Sequence, residues 1–233
     1  MSVVFRQLFD RDTCTYTYIL GDVESREAVV IDPVVELVER DLRMVAELGL
    51  VLKYTIDTHV HADHVTGAGT IRERCGAKVV YPAASQVDDA DKLIADGEAL
   101  QFGSQTLIAR STPGHTESCM TWIWVGQNKV FTGDTLMVRG CGRTDFQGGS
   151  SEALYRSVRE VLFTMAPDTE LYPGHDYKGR TKTTVHEECT YNPRLGTTKS
   201  SAEFVEIMAN LGLAYPQRID VALPANLRAG VVE

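Results

Sequence analysis

The stretch Thr58-His59-Val60-His61-Ala62-Asp63-His64 contains three imidazoles and one carboxylate within six positions, and half of the six histidines of the chain lie in it. Imidazole nitrogens and carboxylate oxygens are the ligands that zinc and non-haem iron take. Burying this many titratable groups without partners would be costly. The alternative, a polar surface loop with exposed histidines, leaves the ligand-type residues farther along the chain unexplained. The stretch therefore predicts a metal site.

Three further ligand-type residues follow downstream, each in a turn directly after a predicted strand. His115 lies in Thr-Pro-Gly-His-Thr, Asp134 in Gly-Asp-Thr and His175 in Pro-Gly-His-Asp-Tyr. Together with the loop at 58–64, a strand ends four times in a residue that can bind a metal. Loops at one edge of a β scaffold are where catalytic groups tend to sit, so we expect these four loops to converge.

Short runs of β-branched and aromatic residues bounded by turn residues predict strands, and apolar residues at helical spacing predict helices. The strands lie at 3–8, 15–20, 27–31, 51–57, 78–81, 99–102, 105–110, 118–125, 129–132 and 170–172. The helices lie at 34–48, 66–75, 151–165, 181–189 and 201–211. The acidic stretch 82–97 is expected to be a solvated loop with a short helix. Pro224 is expected to keep 223–228 from being helical throughout.

Composition narrows the class of protein. The net charge of −9 argues against a nucleic-acid binder, which would present a basic face. The five cysteines are widely spaced without a C-x-x-C pair, which is typical of neither a disulfide framework nor a cysteine zinc site. No run approaches the roughly 18 apolar residues of a membrane span, and the first residues do not resemble a signal peptide. We therefore expect no membrane association and a cytoplasmic location.

The pattern His59-x-His61-x-Asp63-His64, followed by His115, Asp134 and His175, resembles the metallo-β-lactamase superfamily over about the first 180 residues. The resemblance implies an α/β (α+β) fold, the αββα sandwich, in which two mixed β-sheets face each other with helices outside and the metal at one edge. A single domain is expected over 1–233. Its core is about 1–180, and a short helical C-terminal extension covers about 181–233.

Two branches of this superfamily handle glutathione, and both are similar to the stretch from Gly133 to Arg143. Glyoxalase II has aromatic residues after the cation that matches Arg143, whereas this chain has Thr-Asp-Phe-Gln at 144–147. Glyoxalase II also ends in a longer helical domain with a basic glutathione clamp, and the C-terminal sequence here is different. The segments that instead resemble the persulfide dioxygenases, the family of the ethylmalonic encephalopathy protein, are 143–147, 175–177, 192–195 and 224–226.

For the persulfide dioxygenases the resemblance implies one Fe(II) per chain, held by His59, His115 and Asp134. This is the 2-His-1-carboxylate triad of oxygen-activating iron enzymes, which leaves coordination positions open. The remaining ligand-type residues would orient the ligands and set the local charge; these are His61, Asp63, His64 and His175. Ligand counting alone equally allows them to bind a second metal, as in a two-metal hydrolase.

The resemblance also implies the reaction: glutathione persulfide, O₂ and water give sulfite and glutathione. Arg143 is the candidate to bind a glutathione carboxylate, because a guanidinium can grip one with two hydrogen bonds. Tyr177 is the candidate to donate a hydrogen bond to the ligand or the substrate sulfur. The alternatives are a surface arginine and a packing aromatic residue. A homodimer and a sulfurtransferase that supplies the persulfide are further expectations.

Two other functions compete with this prediction. A glyoxalase II-like hydrolase of glutathione thioesters would use two metals, with Asp134 bridging them, to generate hydroxide at neutral pH. An electron-transfer module like the lactamase-like half of flavodiiron proteins fits less well, because those proteins have a carboxylate where this chain has His61.

Overall fold

Two six-stranded β-sheets form the centre of the protein, whose computed structural model describes residues 2–231. The first sheet has the order β1-β2-β3-β4-β5-β6, with bounds Val3–Phe9, Tyr16–Asp22, Glu27–Ile31, Val51–Ile56, Lys78–Pro82 and Lys92–Ile94. The second has the order β12-β11-β10-β9-β8-β7, with β7 to β12 at Ala99–Phe102, Gln105–Ser111, Met120–Trp124, Lys129–Gly133, Glu170–Pro173 and Thr183–Thr184. Both sheets are mixed: β3 to β6 run parallel, as do β10 and β11, while the other neighbours are antiparallel.

The two sheets pack face to face over an apolar core. Alternate side chains along each strand point to opposite faces of the sheet, so every second residue can enter this core. On β2, Tyr18 and Leu20 point into the space between the sheets, and Ile19 points outward. Facing them from the second sheet are Trp122 and Phe131. Because β2 is covered on both faces, it is buried over its whole length, as expected for a strand inside a layered α/β fold.

Helices cover the outer faces. They are α1 (Val38–Glu47) and α2 (Ala68–Cys75) on the first sheet, then α3 (Ser151–Ser157), α4 (Val185–Tyr191), α5 (Ser201–Ala209) and α6 (Ile219–Asn226). A 3₁₀ turn at Val35–Leu37 precedes α1, and α3 continues as a π-helical turn at Val158–Leu162. The sandwich therefore has the predicted layers, with helices outside two mixed sheets.

Two local predictions were wrong. The acidic stretch 82–97 contributes strand β6, which pairs in parallel with β5, in addition to a 3₁₀ turn at Ala83–Ser85. The helix predicted at 181–189 begins only at Val185, because Thr183 and Thr184 pair with β11 as strand β12. As predicted, 223–228 is not helical throughout, because α6, which contains Pro224, ends at Asn226. A short last helix tolerates a proline there because only one hydrogen bond is lost, and buried contacts of Ala222 and Ala225 with Val65 stabilise its position.

The sheets meet at one edge, where the N-terminal segment crosses to the end of β11. Thr15 and His175 form an isolated antiparallel bridge, with hydrogen bonds from the Tyr16 N–H to the Gly174 carbonyl and from the Asp176 N–H to the Cys14 carbonyl. Loops from both sheets are thereby brought together. In the part of the chain that the structure describes, no helix has the length and apolar character to cross a membrane.

Candidate metal centre

The structure brings His59, His115 and Asp134 together at this edge, although they are up to 75 positions apart in the sequence. One ligand atom from each lies within 4.8 Å of the others, and His115 Nε2 is 3.7 Å from Asp134 Oδ2. The three side chains follow β4, β8 and β10, the strand ends from which the sequence predicted them. This geometry fits a metal ion between two imidazoles and a carboxylate.

A buried chain of hydrogen bonds fixes the His59 ring. Thr58 donates its hydroxyl to Asp32 Oδ2 (3.0 Å), and its oxygen lies 3.0 Å from His59 Nδ1. Because the hydroxyl proton is used on Asp32, Nδ1 must be the donor in the second bond, and Nε2 keeps its lone pair. Burial lowers the pKa of His59 well below its usual range, which keeps the ring neutral. A neutral ring with a free Nε2 is the form that a metal binds.

The glycine-rich loop fixes the His115 ring in the same tautomer. His115 Nδ1 donates to the Arg143 carbonyl over 2.6 Å, which leaves Nε2 for the metal. Gly142 lies flat against this ring; a Cβ at that position would be 2.7 Å from His115 Nδ1. The loop can approach so closely only because this residue has no side chain.

Buried Asp134 and His175 and partly exposed Asp63 form a continuous line of charge-assisted hydrogen bonds. His175 donates Nδ1–H to Asp134 Oδ1 (2.7 Å) and Nε2–H to Asp63 Oδ2 (2.9 Å). Burial alone would lower the pKa of His175, but the two carboxylates outweigh burial and raise it well above its usual range. Both nitrogens of His175 are therefore committed to carboxylates, and Asp134 keeps Oδ2 for a metal.

His61 and His64 lie deeper and are fully buried. His61 Nε2 is 3.1 Å from Asp32 Oδ1, and His64 Nδ1 is 3.0 Å from Asp63 Oδ2. Burial by itself lowers the pKa of His61, yet the carboxylates of Asp32, Asp57 and Asp63 together outweigh burial and raise it to about 9. Within residues 2–231, His61 Nδ1 and His64 Nε2 have no hydrogen-bond partner.

These two free nitrogens and Asp63 form a second group whose spacing would admit a cation. The two groups differ in whether their ligand atoms already form hydrogen bonds. Among His59, His115 and Asp134 the ligand atoms face one another without a hydrogen bond between them. In the second group, Asp63 is already bound by His64 and His175. The first group thus fits a metal without losing a hydrogen bond, whereas a metal at the second group would compete with the hydrogen bonds of Asp63.

A cavity of about 800 Å³ opens from this centre, and its wall includes six cationic side chains. Carboxylates hold four of them: Glu187 and Glu188 hold Arg139, Asp145 holds Arg143, Asp176 holds Arg180, and Glu36 holds Arg218. Among the described residues, the other two, Lys178 and Arg194, have no carboxylate partner. The cavity therefore offers two unpaired positive charges to an anionic ligand.

The two predicted substrate-binding residues differ in their surroundings. Arg143 is bound by both oxygens of Asp145 (2.6 and 2.7 Å), and its third nitrogen donates to the Ala214 carbonyl. Tyr177 is 70% exposed at the cavity wall, and its ring stacks on His175 at 6.2 Å. Tyr177 is accessible to a ligand, whereas Arg143 binds a second carboxylate only by releasing Asp145.

Sequence reasoning missed three residues of the centre. Asp32 directly follows the strand predicted at 27–31, Thr15 begins the strand predicted at 15–20, and Asn226 ends the segment 224–226; the sequence predicts no role at the site for any of them. Thr15 is buried beside His175, with Oγ1 at 3.1 Å from Nε2. A carboxylate directly after an apolar strand, as in Val29-Val30-Ile31-Asp32, was the available signal for Asp32.

Comparison with known proteins places the chain in a family. Residues 11–175 match the family described as the metallo-beta-lactamase superfamily. The chain is 51% identical over 230 residues to the Homo sapiens protein named persulfide dioxygenase ETHE1, mitochondrial, covering 98% of this chain and 89% of that one. The mouse protein of the same name is 50% identical over the same coverage. The crystal structure of ETHE1 from Myxococcus xanthus matches with a TM-score of 0.95 at 49% identity, covering 98% of this chain and 100% of that one.

The sandwich and its cluster of histidines and aspartates at one edge define a metal-binding enzyme of the metallo-β-lactamase superfamily. Identity of about one half over nearly the whole chain narrows the class further. The chain belongs to the persulfide dioxygenases within that superfamily. The family and fold predicted from the sequence motifs are both confirmed.

Proposed function

We propose that the chain oxidises glutathione persulfide with O₂ to sulfite and glutathione at a single Fe(II) held by His59, His115 and Asp134. Membership of the persulfide dioxygenases supports the reaction. The observation that carries the single-metal site is the direct 2.9 Å contact between His175 and Asp63. A second metal bound by Asp63 would have to compete with this hydrogen bond.

The reaction balances without an outside reductant. One persulfide, one O₂ and one water give one thiol, one sulfite and two protons. The terminal sulfur loses four electrons, which are the four that O₂ requires. Iron when bound supplies open coordination positions for O₂ and for an anionic sulfur.

The protein positions the reactants and controls the charge around them. Asp32 and Thr58 hold His59 with Nε2 toward the metal, and the loop carbonyl of Arg143 does the same for His115. His175 donates to Asp134 and so holds one oxygen of this ligand in place. Fixed ligands and a substrate held beside them convert an encounter of three reactants into a local reaction.

Glutathione carries carboxylates, and the cavity wall suggests where they bind. Among the described residues, Arg194 and Lys178 have no carboxylate partner that a substrate would have to displace. Arg143, the residue predicted for this role, must exchange Asp145 for the substrate. We therefore propose that the glutathione carboxylates bind to Arg194 and Lys178 in preference to Arg143. Tyr177, exposed beside His175, donates its hydroxyl toward the sulfur end of the substrate.

The other expectations about partners and location stay predictions. A homodimer, a sulfurtransferase that supplies the persulfide, and a cytoplasmic location rest on the sequence alone. The mammalian relatives carry the word mitochondrial in their names. Fractionation of the source cells tests the location, and sedimentation tests the homodimer.

The test is oxygen uptake by protein prepared without oxygen and loaded with Fe(II). On addition of glutathione persulfide, we expect rapid uptake, sulfite as product and about one iron per chain. A His115→Ala variant should lose both iron and uptake. His186→Ala is the matched control, because His186 is the one histidine that lies on an exposed helical surface outside the centre.

The competing hydrolase predicts a different result from the same samples. Two metals per chain, hydrolysis of a glutathione thioester and no oxygen uptake would overturn the dioxygenase proposal. Retained uptake in the His115→Ala variant would leave the reaction in place but refute the assignment of His115 as a ligand.

A further inference from the structure

Asn226, in the last turn of the C-terminal helix α6, is fully buried against the back of the metal loop. Its Nδ2 donates to the His61 carbonyl (2.9 Å) and to the His64 carbonyl (2.8 Å). Its Oδ1 accepts from the Thr66 N–H (2.9 Å). One side chain therefore binds three backbone groups within six residues of the loop.

The segment His61–His64 depends on this side chain. Other contacts hold the two ends of the loop: the Met120 N–H donates to the Thr58 carbonyl, Gln147 donates to the Val60 carbonyl, and Val35 donates to the Val65 carbonyl. Between these ends, Asn226 hydrogen-bonds to the backbone at both His61 and His64.

The position of the 61–64 backbone affects the proposed iron ligands through the side chain of Asp63. Asp63 lies in its middle and accepts from His64 and from His175, and His175 in turn holds Asp134. A displacement of the 61–64 backbone moves the Asp63 carboxylate and, through His175, the oxygen of Asp134. Groups that orient a metal ligand typically change metal affinity or activity 10–100-fold when lost.

We propose that Asn226 is a positioning residue of the metal centre, so that the C-terminal extension completes the site from behind. This inference rests on the proposed single-metal site and adds to it a residue that lies outside the matched family segment 11–175. The neighbouring backbone supports the same docking, because the Gly69 N–H donates to the Ala229 carbonyl.

The test compares Asn226→Asp with the wild type. Aspartate has the same shape and can still accept from the Thr66 N–H, but it cannot donate to the two carbonyls. We expect the dissociation constant for Fe(II), measured by competition with a chelator, to rise about tenfold. Amide hydrogen exchange in the peptide that covers 58–67 of the metal-free protein should also accelerate at least several-fold.

Ile219→Ala is the matched control. Ile219 is buried at the other end of the same helix and makes none of these hydrogen bonds. We expect it to lower the melting temperature, because a buried side chain is truncated, with iron affinity and exchange at 58–67 unchanged. Asn226→Ser, which keeps one hydroxyl donor, replaces the aspartate variant in the same comparison if the aspartate variant does not fold.

Three outcomes separate this inference from the proposed function. Weaker iron binding and faster exchange in the Asn226 variant, but not in Ile219→Ala, support it. Unchanged iron affinity and exchange in the Asn226 variant, or equal changes in both variants, overturn it while leaving the dioxygenase proposal untouched. If the wild type binds no iron, the proposed function fails, and the exchange comparison on the metal-free protein still decides whether Asn226 holds the loop.

Discussion

Thr58 shows how one hydroxyl sets the chemistry of a candidate metal ligand. It lies between a fully buried carboxylate, Asp32, and the imidazole of His59. Asp32 takes the hydroxyl proton, so the oxygen accepts from His59 Nδ1, and the ring presents Nε2 to the metal. The same carboxylate accepts from the Thr58 backbone N–H over 2.7 Å, which fixes the start of the metal loop.

Replacing Thr58 by valine removes the hydroxyl but keeps the shape of the side chain. We expect iron affinity to fall by about 10–100-fold, because the tautomer and orientation of His59 are no longer fixed. Competition with a chelator measures the change. Thr58→Ser, which retains the hydroxyl, should bind iron nearly as the wild type does; equal affinity in the valine variant would contradict the role assigned to Thr58.

At this scale the sequence predicted which residue types meet at the site but not their hydrogen-bond partners. Residue types and strand ends sufficed to predict that His59, His115 and Asp134 come together. The contact between Asp63 and His175 joins positions 112 residues apart and depends on how the two sheets are placed. The pairing of Arg143 with Asp145 competes with the predicted ligand contact, and residue type alone cannot rank two carboxylates that bind one guanidinium.

The strand β11 is tied to its neighbours by charged side chains at the end of the sheet that is remote from the metal. Glu170 binds Lys129 of β10 and Lys182 near β12. Burial raises the pKa of Glu170, but the hydrogen bonds from the two lysines outweigh burial and lower it to about 2, from an ordinary value of 4.5. The carboxylate is thus bound more favourably in the folded chain than in the unfolded one.

The sign of the pH dependence follows from this lowered pKa. The contribution of Glu170 is present in full above pH 4.5 and is lost as the pH falls through about 2. We expect Glu170→Gln to lower the free energy of unfolding at pH 6 by about 1 kcal/mol, after allowance for solvent screening. Between these pH values, the free energy of unfolding of the Glu170→Gln variant should change less with pH than that of the wild type.

Urea titrations at several pH values measure this difference. Glu160→Gln on the exposed side of the π-helical turn is the control and should leave both the free energy and its slope unchanged. Parallel curves for the wild type and Glu170→Gln would show that the two lysines do not stabilise the folded chain through Glu170.

Elements with strong periodicity were predicted well, and those held by tertiary contacts were not. The alternation of β8 and the cap at Ser150 are local signals. Strand β6 is only three residues long in an acidic stretch, and it forms because β5 offers an open edge. Helix α6 forms around a proline because its buried face packs on the metal loop.

At the scale of the whole molecule, the C-terminal extension is part of the core. Leu195, Phe204 and Met208 pack in one cluster with Val130 of β10 and Leu171 of β11. Helix α6 covers the metal loop on the other side. The single domain over 1–233 and the core boundary near residue 180 stay predictions, and the packing of Leu195, Phe204 and Met208 on β10 and β11 suggests a way to test that boundary.

A chain shortened to residues 1–180 should therefore not fold. It loses the apolar cover of β10 and β11 and exposes side chains that are fully buried in the complete chain. We expect a circular dichroism melt without a cooperative transition and rapid proteolysis. A monomeric product with a sharp melt would show instead that the extension is an accessory to an autonomous core.

Each sheet is made from one uninterrupted part of the chain, 3–94 for the first and 99–184 for the second. This layout sets an order of assembly during translation. The first sheet can form while the second half of the chain is still being synthesised. At roughly 5–20 residues per second, its apolar inner face remains exposed for several seconds before the second sheet covers it. His59 is then already presented, but Asp134, His175 and Asn226 arrive later. A metal can therefore bind at the complete site only after the second half of the chain has been made, and until then the nascent first half exposes an apolar face.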